Sequence, residues 1–160
     1  CPAVAVTLPD AVEKAVNGTF DDTLAPWVLV LYTGADATAE LDSSGAFGAG
    51  TSAKVTVRKG STNWFVQLSQ SVMIRAGRNY TLTVTAKADR PCSVEAVIQQ
   101  AHEPYGSLAS KRLTLAKEPQ TFTLRVSAPA ADDRMNLTVM LGGNAGRTVW
   151  IDSVSLVETR

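Results

Sequence analysis

The feature that most constrains this chain is a two-residue alternation of apolar and polar side chains in short runs. Successive side chains of a strand point to opposite faces, so a period of two marks a half-buried strand. In AKVTV, Val55 and Val57 share a side. In WFVQLSQSV, Val66 and Leu68 oppose Phe65, Gln67 and Ser69. In NYTLTVTAKA, Tyr80, Leu82, Val84 and Ala86 oppose Thr81, Thr83, Thr85 and Lys87. SVEAVIQQ sets Val94, Ala96 and Ile98 against Glu95, Val97 and Gln99. QTFTLRV sets Phe122, Leu124 and Val126 against Thr121, Thr123 and Arg125. MNLTVMLGG sets Leu137, Val139 and Leu141 against Asn136, Thr138 and Met140. Gly- and Pro-bearing stretches such as DSSGAFGAG, RAGRN and SAPAADD separate the runs. About eight or more such strands with turns between them predict an all-β fold, a two-sheet antiparallel β-sandwich of jelly-roll or immunoglobulin-like type. LPDAVEKAV reads equally as a short helix or an extended lead-in. Residues 1–15 are taken as that lead-in and 16–160 as one sandwich domain.

Charge narrows the partners. The chain has 160 residues, with 15 Lys and Arg against 15 Asp and Glu. Nucleic acid and anionic membrane surfaces favour a basic excess, so neutrality points to an uncharged ligand. WVLVLY falls well short of the roughly 20 apolar residues that a membrane span needs. Cys1 has three readings: an incidental residue, a lipidated cysteine, or half of a disulfide with Cys92. His102 is the only histidine, which leaves one candidate for proton transfer, with Tyr105 beside it. Asp21–Asp22 and Asp132–Asp133 are sequence neighbours that tend to point apart, unlike a facing acid–base pair.

The polar faces carry few charges. Gln67, Gln99, Asn136, Thr138, Met140 and Phe65 combine amides with flat apolar area, the mixture that a neutral polyhydroxylated ligand requires. Tyr105, between Pro104 and Gly106, is a stiff amphipathic contact group. Trp27 and Trp150 read as core plugs, while Trp64 is open to either role.

Asp152 is the anomaly. Strict alternation through VWIDSVSL puts it on one face with Trp150, Val154 and Leu156. An unpaired buried carboxylate costs several kcal/mol. Lys54, Arg147 or a Ca²⁺ ion drawing on the NGTFDD turn would each compensate it.

From NGTFDD to WIDSVSL the chain resembles carbohydrate-binding modules of families four, nine and twenty-two. The resemblance is carried by NGTFDD followed by PW, AKVTV, NWFVQLSQSVMIRAGRNYTLTVTAKA, IQQAHEPYG, LTL before QTFTLRVSA, and LGGNAGRTVWIDSVSL, in that order. The PYG loop after IQQ is most similar to family-four modules of cellulases. The resemblance implies a galactose-binding-like jelly roll and a structural Ca²⁺ held by the Thr19 carbonyl, the Asp21 side chain, the Lys54 carbonyl and Asp152. Relatives often carry an acidic residue where Thr51 stands. It also implies a groove for one glycan chain at Trp64, Glu95, Tyr105, Asn136 and Met140, to which the alternation adds Gln67 and Gln99 and, if it faces the groove, Arg125. Cellulose-binding relatives tend to have Arg at the position of Glu95 and Gln at those of Asn136 and Met140. The expectation is a secreted, monomeric, non-catalytic module that binds β-glucan or xylan and targets an attached glycoside hydrolase, surface-anchored if Cys1 is lipidated. The competing expectations are a structural or adhesion sandwich without a sugar site, and a lyase or hydrolase using His102 and Tyr105.

Overall fold

The computed structural model describes residues 11–159 except 33, 45, 46, 48 and 49. Cys1, and with it the lipid and disulfide readings, lies outside the described residues. Among those residues the regular structure is β-strand with one 3₁₀ turn at Asn63–Phe65. The strands are β1 (Val12–Glu13), β2 (Val28–Leu31), β3 (Asp36–Asp42), β4 (Ser52–Lys59), β5 (Val66–Ile74), β6 (Asn79–Ala88), β7 (Cys92–Gln100), β8 (Ser107–Leu115), β9 (Gln120–Ser127), β10 (Asp132–Met140) and β11 (Arg147–Thr159). One sheet runs β3-β4-β11-β6-β9, with β1 added on β11, and the other runs β2-β5-β10-β7-β8. All pairings are antiparallel. The fold is the two-sheet sandwich that the alternation requires.

The core forms where the apolar phases of the two sheets meet. Val55, Val57, Leu82, Ile151 and Leu156 come from one sheet, and Leu68, Ile98, Leu113, Leu137 and Val139 from the other, all essentially inaccessible to water. Full burial of each such side chain contributes about 1.5–3 kcal/mol before entropy is subtracted. The lead-in is extended where it is described. Val12 and Glu13 pair with Val157 and Glu158, and the Leu156 amide donates to Glu13 Oε2 at 2.7 Å.

Two tryptophans part company. Trp27 is a core residue, 5% exposed, its ring 5.6 Å from that of the fully buried Phe20 and tilted against it at 38°. Trp150 is not a core plug. It lies on the outer face of the six-stranded sheet, its Nε1 donating to Asp42 Oδ2 at 2.7 Å, with Lys54 and Lys87 at 6.0 and 5.5 Å from its ring.

The face that strict alternation assigns to Asp152 is also wrong, for a local reason. β11 loses register with β6 between Ile151 and Ser153, so Asp152 is the extra residue of a β-bulge. The bulge shifts the phase by one. Val149 and Ile151 are buried before it, and Val154 and Leu156 after it. Asp152 also marks a change of partner. Before it, β11 pairs with β4 through Ile151↔Ala53. After it, the Val154 amide donates to the Gly18 carbonyl and the Lys14 amide to the Leu156 carbonyl.

Candidate functional site

The outer face of the five-stranded sheet is built in rows. Across neighbouring strands, Gln67, Met140 and Glu95 lie in register; Ser69, Thr138 and Val97 form the next row, and Ser71, Asn136 and Gln99 the one after. Cross-strand partners point to the same side, so every second residue of β5, β10 and β7 contributes to a single surface. The middle row is tightly closed: Thr138 is fully buried, and its hydroxyl finds no hydrogen-bond partner among the described residues.

Walls rise from the loops. Trp64 sits in the 3₁₀ turn before β5, 45% exposed, and Tyr105 in the β7–β8 loop, 59% exposed. Tyr32, just after β2, meets Trp64 edge to face. These rings, with Asn63, Gln67, Glu95, Gln99 and Met140, enclose a groove of about 640 Å³. A second hollow of about 440 Å³ shares Asn63 and Glu95 with it and extends toward Arg112 and Asn144. Glu95 is paired in register with Arg112 on β8.

Each polar group keeps a distinct capacity. Gln67 donates Nε2–H to the Trp64 carbonyl at 2.8 Å, which steadies the turn and leaves its own carbonyl oxygen as an acceptor. The Trp64 amide donates to Asn63 Oδ1 at 2.9 Å, and the Gly142 amide to the Asn63 carbonyl at 2.8 Å. Gly142 has to be glycine, because a Cβ there would lie 1.8 Å from the Thr62 carbonyl oxygen. The tryptophan is thus fixed through its own backbone.

The structure brings together Trp64, Gln67, Glu95, Gln99, Tyr105 and Met140. Asn136 is on the same face, across from Gln99, but does not line the groove. Arg125 does not belong with them. It lies on β9 of the other sheet, paired in register with Thr81, beside a separate hollow with Asn79 and Ser127. Arg125 alternates correctly, but alternation says which face of its own sheet a residue takes and not which sheet the strand joins. Tyr32 and Asn63 were missed. Tyr32 closes the apolar run WVLVLY just before Gly34, and an aromatic at such a strand end was its only signal.

The NGTFDD turn is tied to the strands on either side of the bulge. Thr51 Oγ1 donates to the Phe20 and Asp21 carbonyls at 2.7 and 3.0 Å, tying the NGTFDD turn to the start of β4. Thr19 Oγ1 donates to Asp21 Oδ2 at 2.9 Å. The Gly18–Val154 bond then ties the same turn to β11. Asp152 has no hydrogen-bond or ion-pair partner among the described residues, and burial alone pushes its carboxyl pKa up. Ser52, next to the Ala53 that pairs with Ile151, has a buried hydroxyl with no hydrogen-bond partner among the described residues. No three His, Cys, Asp or Glu side chains converge among the described residues. A cation here would draw on Asp21, Asp152 and backbone carbonyls, an all-oxygen set that fits Ca²⁺.

His102 and Tyr105 do not form a proton-transfer pair. Both nitrogens of the His102 ring are engaged elsewhere, at 2.6 Å to Asp132 Oδ2 and 2.8 Å to the Glu103 carbonyl. It is the Tyr105 amide that meets His102, donating to its carbonyl at 2.7 Å.

A β-sandwich with one sheet face floored by amides and walled by aromatic rings is a carbohydrate-binding module. Residues 12–147 match the family model of the Carbohydrate binding domain, and the chain belongs to that family. It is 34% identical over 152 residues to endoglucanase C of Cellulomonas fimi, covering 88% of this chain and 13% of that protein. It is 30% identical over 160 residues to a cellulose 1,4-beta-cellobiosidase of Acetivibrio thermocellus, covering 89% and 17%. The chain therefore spans under a fifth of these relatives. Among solved structures it is similar to a CBM4 structure, with TM-score 0.76 and 26% identity over 90% of this chain and 99% of that one. It is also similar to the N-terminal cellulose-binding domain of β-1,4-glucanase C from Cellulomonas fimi, with TM-score 0.67 and 29% identity over 91% and 96%.

Proposed function

We propose that this domain holds single β-glycan chains, β-glucan or xylan, in the groove between Trp64 and Tyr105, without cleaving them. The observation that carries this is the combination in one groove of exposed rings with inward amides. The rings offer planes to the C–H faces of sugars, while Gln67, Gln99 and Glu95 meet the hydroxyls. An open, wet groove gains modest net affinity after desolvation. Its value is tethering: linked to a glycoside hydrolase, it would raise the local substrate concentration. The similarity to cellulase modules supports that attachment and an extracellular location; action as a monomer belongs to the same proposal. In the described residues no helix is long and apolar enough to cross a membrane.

A Ca²⁺ ion would be held by the Thr19 and Lys54 carbonyls, Asp21 and Asp152. It would neutralise Asp152 and join the N-terminal turn to β4 and β11, a stabilising role away from the groove.

Isothermal titration against soluble cellulose derivatives, laminarin, mixed-linkage β-glucan and xylan tests the reading. Binding to at least one, abolished by Trp64→Ala or Tyr105→Ala in a folded protein, is expected. No binding to any would leave a structural sandwich. Reducing-sugar release by the isolated domain would overturn the non-catalytic assignment.

A further inference from the structure

The chain's only histidine lies in the loop that carries Tyr105, a loop closed as well by the Gln100 amide donating to the Gly106 carbonyl at 2.9 Å. His102 Nε2 lies 2.6 Å from Asp132 Oδ2, and Nδ1 lies 2.8 Å from the Glu103 carbonyl oxygen. A carbonyl oxygen and an ionised carboxylate only accept hydrogen bonds. A neutral imidazole carries one N–H and satisfies one of them, whereas an imidazolium donates to both. We propose that His102, as an imidazolium, positions Tyr105 at the groove, so that glycan affinity falls when rising pH removes the second ring proton. The proposal rests on the glycan-groove reading above and deepens it.

The link from ring to groove is short. The His102 carbonyl accepts from the Tyr105 amide at 2.7 Å, and Gln100 Oε1 accepts from the Gly106 amide at 3.1 Å. Gln100 Nε2 also donates to Asp132 Oδ2, at 3.2 Å. Asp132 is therefore the common anchor of both flanks of the loop. It is itself held by the Arg134 amide, which donates to Oδ1 at 2.9 Å. Tyr105 needs such support, because its φ of +57° is in the left-handed region that residues with a Cβ avoid. Tyr105 is 59% exposed, so its position depends mainly on the loop's hydrogen bonds.

The charged groups around the ring agree on direction. Asp132 on β10 and then the Glu103 carbonyl raise the His102 pKa, against partial desolvation and the positive charge of Arg134. The Arg134 amide and then His102 lower that of Asp132. For the raised histidine, the contribution is complete below its ordinary value of 6.5 and is lost as pH climbs through the raised one. For the lowered aspartate, it is complete above 3.8 and lost as pH falls through the lowered value. The loop is thus fully held between those limits; loss of the imidazolium proton releases it on the alkaline side, and protonation of Asp132 does so at strongly acidic pH.

The test is titration of the 160-residue chain with mixed-linkage β-glucan at pH 5.5 and pH 9, alongside His102→Gln. Wild-type affinity is expected to drop about three- to tenfold at the higher pH, the worth of about one hydrogen bond. The variant is expected to bind with no such pH dependence. In parallel, ¹⁵N NMR of the imidazole should show both nitrogens protonated at pH 5.5, and the Tyr105 and Gly106 amide shifts should titrate with it. Equal wild-type affinity at both pH values, or a pH dependence that survives in His102→Gln, would overturn the proposal. If the glycan binds at neither pH, the groove reading fails for this ligand. The loop mechanism is then decided by the amide shifts: titration in step with the ring supports it, and independence overturns it.

Discussion

Tyr32 meets Trp64 edge to face, with ring centroids 5.2 Å apart and planes at 75°, and Trp64 meets Phe65 at 4.7 Å and 89°. One partner comes from just past the end of β2 and the other is the next residue in the chain, and together they fix the tryptophan ring at the groove while leaving it 45% exposed.

Trp64→Ala should therefore abolish most glycan binding while leaving stability nearly intact. The expected loss is at least tenfold in affinity, about 1.4 kcal/mol or more, with a melting temperature within a few degrees of wild type. Tyr32→Ala should lose less, because Phe65 still orients the ring. Arg125→Ala, on the other sheet, should change affinity by less than about twofold, within the usual range for remote surface substitutions. Titration calorimetry with one glycan on all three variants separates these outcomes.

Asp152→Asn should change sign with calcium. In excess chelator, the neutral amide relieves a desolvated carboxylate and should be neutral or stabilising. The raised pKa of Asp152 has the same sense: the metal-free domain gains stability at this residue as pH falls, and loses that gain as pH rises through the raised value. In saturating Ca²⁺ the same substitution should remove the ion's contribution. At about a hundred times the dissociation constant that is ~2.7 kcal/mol, or about 5–10 °C for a domain of this size. Thermal melts in chelator and in Ca²⁺ measure both signs; a wild-type melt indifferent to chelator, with no metal by elemental analysis, would remove calcium from the account.

Gly18→Ala should be severely destabilising. A Cβ at Gly18 would lie 1.9 Å from the Val154 carbonyl oxygen, a backbone atom that cannot swing aside. Relief requires separating the turn from β11 and breaking the 2.8 Å bond from the Val154 amide to the Gly18 carbonyl. The expected loss is more than about 3 kcal/mol, read as a lower urea midpoint. A wild-type midpoint would show that the turn is not docked as described.

Tyr80→Phe tests the buried end of the sandwich. The Tyr80 hydroxyl donates to Glu158 Oε1 at 2.6 Å and accepts from the Arg75 amide at 2.8 Å. The Glu158 side chain is 3% exposed and has Arg75 Nη1 at 3.8 Å. Removing the hydroxyl leaves a buried carboxylate oxygen short of a donor, at a cost of about 1–3 kcal/mol. Burial first, and then the bond to Glu158, push the Tyr80 pKa up from 10.0 to about 12. The phenol's contribution is complete below pH 10 and fades as pH rises through about 12. Urea melts at pH 7 give the first quantity, and phenolate absorbance during alkaline titration the second.

Alternation alone located most of the long strands and, outside β11, their buried faces, and side-chain chemistry pointed to a neutral, hydroxyl-bearing ligand. Those follow from a period of two and from side-chain chemistry, both local properties, so Leu68, Leu82 and Leu137 could be read inward and Gln67 and Gln99 outward before any strand was paired. Tertiary structure decided what depends on pairing. The bulge at Asp152 reversed the phase of β11, and the order of strands in the two sheets separated Arg125 from the groove and set Trp150 on an outer face. The same pairing brought Tyr32 and Asn63 alongside Trp64, and gave the Tyr105 loop an anchor at Asp132. None of these can be derived from spacing along the chain, because register and sheet membership are set by contacts between segments far apart in sequence.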